Sequence, residues 1–213
     1  MVRDAEATRQ RLLDAATEEF AARGIAGARV DRIAQVAGSN KAQIYHYFGS
    51  KDALFEAVFD RVVDATLTET PIDPTDLPEY AARLFDRYQR HPEIQRLATW
   101  YRLERTDCKD PIEAIVASNA AKVKAIAAAQ RAGRLTTHVE PAVLLGLVLT
   151  LSGTWSTMTP EYTELVRRLS VTKRRQAIVD AVAALLAPAV IAEVDDAGLE
   201  PATSALSRRR SPS

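Results

Sequence analysis

Apolar residues recur along most of this chain at intervals of three and four. Leu13, Ala16 and Phe20 fall at i, i+3 and i+7, with Arg and Glu on the other faces, which is the pattern of a helix with one buried stripe. The stripe ends at Gly24, a natural left-handed C′ position, and Ile25 follows where a Schellman turn wants an apolar contact. A short helix over about 30–37 comes next, closed by Gly38. Asn40 is placed to cap a third helix over about 41–48. Ser50 is placed to cap a fourth, with Asp52 in its first turn and Leu54, Val58 and Val62 as its stripe. The segment TPIDPTDLP (70–78), with three prolines, reads as a linker. Beyond it the periodicity predicts helices near 78–90, 92–104, 110–131, 141–156, 160–169 and 172–191. Pro92, Pro111, Pro141 and Pro160 all sit where a first-turn proline is tolerated. No strand-hairpin pattern and no internal repeat interrupts the series. The fold class is therefore all-α.

Composition changes this picture little. The chain has 213 residues, 47% hydrophobic and 26% charged, with 28 Lys and Arg against 28 Asp and Glu. A core of real size is possible, and a polyanion partner would need positive charge concentrated locally. Residues 1–51 hold eight bases and six acids, a net of +2. The lone cysteine, Cys108, fits a reducing compartment. No secretory h-region opens the chain, and the longest apolar run, 142–151, is too short to span a bilayer. The expectation is a soluble cytoplasmic protein with no membrane partner.

Two short helices joined at a glycine follow the helix-turn-helix plan. Ala34 is small where the helices would cross, Gly38 supplies the positive φ of the turn, and Ile44 points back to lock the second helix on the first. Ile33, Ala37 and Phe48 complete the inward face. The segment NKAQIYHYF (40–48) then leaves Lys41, Gln43, Tyr45 and His46 on faces free to enter a major groove. Lys41, Gln43 and His46 suit base edges. Arg29, Tyr45 and Lys51 suit phosphates. As ordinary surface, Lys41, Gln43 and His46 would only be solvated; Tyr47 and Phe48 read as core.

The run RIAQVAGSNKAQIYHYFGSKDALFEAV, preceded by TRQRLLDAATEEFAARG, resembles the N-terminal domain of the TetR (tetracycline repressor) family of bacterial transcriptional regulators. The resemblance rests on Ile33-Ala34, Ala37-Gly38, Tyr45-His46-Tyr47-Phe48 and Ser50-Lys51-Asp52-Ala53-Leu54, within about residues 8–60. It implies a helix-turn-helix DNA-binding domain over 1–51. A helical effector-binding and dimerisation domain would follow over 52–192, with 52–70 as the connecting helix; the polar, Pro- and Ser-containing segment 193–213 reads from its composition as a disordered tail. It further implies a homodimer on a palindromic operator, released by a small-molecule effector, with no cofactor and no bound metal. The chain departs from the pattern at Arg29, where the family usually has a capping Ser or Thr. It departs again at Asp31, Ser39 and Ala42, which bears on the operator that is read.

Phe85, Tyr88, Trp100, Tyr101 and Trp155 are candidates to line the effector pocket, with Arg102, Glu104 and His138 as polar handles; each aromatic residue reads equally well as core. The helix AVLLGLVLTLSGTW (142–155) is apolar on nearly every face, as expected of one packed against its own domain and a twin subunit. Leu144, Leu147, Val148 and Leu151 on it, with Ile178, Val182 and Leu185 on the last helix, are the expected dimer interface. His46, His91 and His138 show no metal-ligand spacing, and no nucleophile elbow, P-loop or dinucleotide fingerprint occurs. Catalytic residues are therefore none. Cys108, flanked by Arg105 and Lys109, is a conceivable thiol sensor. Two rival readings stay open: a ligand-binding protein of this fold that has lost specific DNA binding, and an enzyme built on the C-terminal pocket.

Overall fold

The computed structural model describes residues 2–105 and 111–187. Cys108 and the 193–213 tail lie outside them. Ten α-helices and one short 3-10 turn make up the described chain, with no strand among these residues: α1 Val2–Gly27, α2 Val30–Val36, α3 Lys41–Phe48, α4 Lys51–Glu69, α5 Leu77–Arg90, α6 Pro92–Glu104, α7 Glu113–Arg131, α8 Pro141–Gly153, α9 Pro160–Leu165 and α10 Val171–Leu186.

The helices gather around two apolar cores. The first holds Leu12, Leu13, Ala16 and Phe20 of α1, Ile33 and Ala34 of α2, Ile44 of α3, and Leu54, Phe55 and Val58 of α4. Phe20 meets Phe55 edge-on, with centroids 5.2 Å apart, a preferred aromatic geometry. The second core joins α5, α7, α8 and α10 through Leu77, Tyr80, Phe85, Ile126, Leu144, Val148, Ile178 and Val182. Arg175 of α10 clamps it from outside, bonding Glu79 at 2.6 Å and Asp86 at 2.9 Å on α5.

Helix starts follow the local chemistry. The Asn40 side chain accepts from the Gln43 N–H at 3.0 Å, and the Ser50 hydroxyl accepts from the Ala53 N–H at 3.0 Å. Each satisfies one orphan donor of a helix N-terminus. Gly38 has φ +60° and carries the turn between α2 and α3.

Gly24 ends the first helical run as expected: its φ is +72° and its ψ −178°, outside the helical region, and the chain then resumes a short helical turn to Gly27. That turn is held from a distance. Glu104, the last residue of α6, accepts from the N–H groups of Ile25 and Ala26, both at 2.8 Å. The Trp100 indole donates to the Ala21 carbonyl at 3.3 Å. Helix α6 is thus docked on the end of α1.

Candidate nucleic-acid interface

Helix α3 buries Ile44 completely, while Tyr47 and Phe48 are half-buried against the first core. With that face fixed, Lys41, Tyr45 and His46 are exposed on the others. Tyr45 is 44% exposed despite its size. An exposed ring with a hydroxyl at its tip suits a helix that enters a groove. Arg29 is also exposed, at the start of α2.

Several of these side chains already have partners. Lys41 is ion-paired to Asp31 of α2 at 3.4 Å, both groups being more than half exposed. Lys51 is half-buried, with its ammonium 3.4 Å from the carbonyl oxygens of Ala26 and Ala28. An ammonium has three donors, so one remains for a phosphate. The Gln43 carboxamide oxygen accepts from the Ser39 hydroxyl, which orients the side chain. Asp31 and Ser39, two of the departures noted above, therefore act on the expected base-contacting residues themselves.

Arg29 stands where a capping hydroxyl is usual, and α2 has no side-chain cap. Glu19 of α1, only 8% exposed, compensates. Its carboxylate accepts from the Arg29 N–H at 3.1 Å and pairs with Arg32 at 3.3 Å and Arg23 at 3.5 Å. This is half of a capping box, supplied by another helix. Sequence reasoning missed it, because a partner ten residues upstream on a different element leaves no local signature.

The C-terminal candidates divide. Phe85 is buried in the second core, and Tyr88 and Trp155 pack against it. Burial raises the pKa of the Tyr88 hydroxyl. The Trp155 indole donates to the Arg174 carbonyl at 3.2 Å. Trp100 and Tyr101 sit elsewhere. Trp100 lies on the end of α1, and Tyr101 packs in the first core, its ring 5.3 Å from Phe59. Their side of α6 faces α1 and α4, so they join the two domains rather than line the second core. Glu104 belongs to the same junction, as does Arg105, which bonds Asp52 at 2.8 Å and Glu56 at 3.1 Å on α4. His138 donates to or accepts from Thr136 and bonds the Leu185 carbonyl at 3.0 Å, and Arg102 is exposed.

The interface candidates divide in the same way. Leu144, Val148, Ile178 and Val182 are each at most 2% exposed within the single chain. They pack in the second core of their own chain, so the surface left for a twin subunit lies mainly on their neighbours. Leu151 and Leu185 are half-buried, and Leu147 is exposed. Val143 on α8 and Tyr162, Leu165, Leu169 and Val171 near α9 and α10 are exposed as well, Leu165 at 80%.

A small first core presenting one short helix through a glycine turn, joined to a larger helical domain, defines a helix-turn-helix DNA-binding protein. Residues 12–58 match the family model for bacterial regulatory proteins of the tetR family, and residues 76–184 that of the tetracyclin repressor-like C-terminal domain. The HTH-type transcriptional repressor SCO4008 of Streptomyces coelicolor is 38% identical over 160 residues, 75% of this chain and 83% of its own. A crystal structure of the transcriptional regulator SCO4942 from the same organism is 42% identical, with a TM-score of 0.74 over 84% of this chain and 97% of that one. Salmonella enterica GusR, 21% identical with a TM-score of 0.62 over 84% of this chain and 95% of its own, shares the fold. The chain belongs to the TetR family and is a DNA-binding transcriptional regulator. No helix among the described residues is long and apolar enough to cross a membrane.

Proposed function

We propose that the protein is a cytoplasmic repressor that grips a palindromic operator as a homodimer and lets go when a small molecule enters its C-terminal domain. The observation that carries this reading is the exposed face of α3, with Lys41, Tyr45 and His46 standing out from a helix whose Ile44 is locked inward. Base edges fall to Lys41, Gln43 and His46. Phosphates fall to Arg29, Tyr45 and Lys51. The apolar residues left exposed on α8 and around α9 and α10, led by Leu147 and Leu165, support a twofold contact between subunits. Two copies of α3 must then fit groove turns about 34–36 Å apart. Docking of α6 on both α1 and α4 gives an effector a route to alter that distance.

A gel-shift titration across salt concentrations tests the central claim. Binding should weaken steeply with salt, since each phosphate neutralised contributes close to one power of salt concentration. A flat salt response would mean that α3 does not meet a duplex.

The alternative, a relative that has lost specific DNA binding, draws on the Asp31–Lys41 pair. Here an acid stands beside the expected phosphate path and occupies a base-reading cation. Asp31→Asn is expected to tighten operator binding roughly three- to tenfold and to steepen the salt slope by about one. If wild type ignores DNA and Asp31→Asn binds it, the alternative is correct.

The role assignments have their own test. Lys51→Ala should weaken binding to every sequence alike, by a few-fold, whereas Gln43→Ala should relax preference at particular base pairs. A uniform loss from both variants would remove Gln43 from base readout.

A further inference from the structure

Among the described residues three charged side chains are buried: Glu19, Arg87 and Lys122. Glu19 has arginines around it, and Arg87 bonds Glu69 and the Thr66 hydroxyl. Lys122, only 8% exposed, has one polar partner, the Ser118 hydroxyl at 2.8 Å one turn earlier on α7, and no ion pair among the described residues. Burial alone pushes its pKa down, with no neighbouring charge to oppose the effect. A buried ammonium without a counter-charge is costly and is normally neutralised or paired.

Its position matters as much as its isolation. Ser118, Lys122, Ile126 and Ala129 are the buried residues of α7, so they form its inward face. Ile126, one turn beyond Lys122, lies in the second core, and Val123 packs against that core. The second core holds an unspent donor of its own, on α5. The Tyr80 hydroxyl, on a fully buried side chain, has no hydrogen-bond partner. The inward face of α7 therefore holds a buried ammonium that no carboxylate pairs with among the described residues.

We propose, building on the ligand-released reading above, that the effector is a small organic acid whose single carboxylate pairs with Lys122 and whose apolar body lies within the C-terminal core. One isolated ammonium suits one carboxylate. A phosphorylated ligand would bring close to two charges and call for a cluster of cations, and no second cation accompanies Lys122 among the described residues. The site also sits well for release. Helix α7 packs against both α4 and α8, and its first turns, at Ala114 and Ile115, reach the first core. Pairing Lys122 thus alters a helix that spans the effector and DNA-binding halves.

The test uses the full chain with three acids, sodium octanoate, sodium phenylacetate and sodium 4-hydroxybenzoate, each against its neutral amide. Thermal melts and operator release are both read. At least one acid should raise the melting temperature and release operator where its amide does neither. Lys122→Met should shift the concentration required roughly 10- to 100-fold upward while binding operator as wild type does. Lys122→Met should also melt no lower than wild type, because it replaces an unpaired ammonium with a thioether; Lys122→Gln provides the same readings if the methionine variant fails to fold. Amides acting as well as acids, no response to any acid, or undiminished acid binding in the variants would each overturn the proposal. The melts need no DNA. Acid binding without operator binding would therefore refute the repressor reading and keep the acid site, while operator binding without an acid response would do the reverse.

Discussion

Gly24→Ala should destabilise the protein by about 2–4 kcal/mol and detach α6 from α1. Two penalties combine. Position 24 has φ +72°, where any side chain is strained. A Cβ built there would also stand 2.2 Å from Glu104 Oε1 and 2.8 Å from the Trp100 ring. A free carboxylate could swing aside at little cost. This one is fixed by the N–H groups of Ile25 and Ala26, and the indole beside it is bonded to Ala21. Relief therefore means breaking the contacts that join the two domains. For a chain of this size the melting temperature should fall by roughly 5–15 °C. Operator binding, if retained, should no longer respond to an effector. A variant that melts like wild type would show that this junction contributes little.

Leu147→Glu should leave the subunit folded and abolish the dimer. Leu147 is 38% exposed on α8, at the solvent-facing flank of the face that carries the buried Leu144 and Val148. Its own domain does not need it, so circular dichroism should change little. In a twofold contact, each substitution places one carboxylate close to its symmetry mate, and both lose water. Sedimentation should report a monomer. Operator affinity should drop by roughly 10²–10⁴, the usual gain from linking two weak sites. A dimer that survives the substitution would place the subunit contact on another surface.

Much of this molecule could be read from short-range pattern. The caps at Asn40 and Ser50, the turn at Gly38 and the inward Ile44 are set by residues within a few positions of each other, and the structure shows each as expected. What escaped depends on distant pairing. Glu19 meets Arg29 across two helices, and Glu104 meets Ile25 over 79 residues. Trp100 and Tyr101 could not be assigned to a core in advance, because aromatic residues on a helix look alike whichever of two cores they enter. The uniformly apolar α8 gave no periodicity to tell inward Leu144 from outward Leu147. In both cases composition announced burial but not its direction. The polar groups on α3 were identifiable as candidates, whereas their existing bonds to Asp31 and Ser39 were not.

The Glu19 carboxylate has a consequence for how such proteins can change their targets. By anchoring the entry to α2 from α1, it relieves position 29 of the duty to hold that helix start. Residue 29 becomes a free variable at the rim of the reading head, open to arginine here and to other chemistries in a redesigned regulator. Retargeting could begin there without disturbing the scaffold, provided the acid beneath is left untouched.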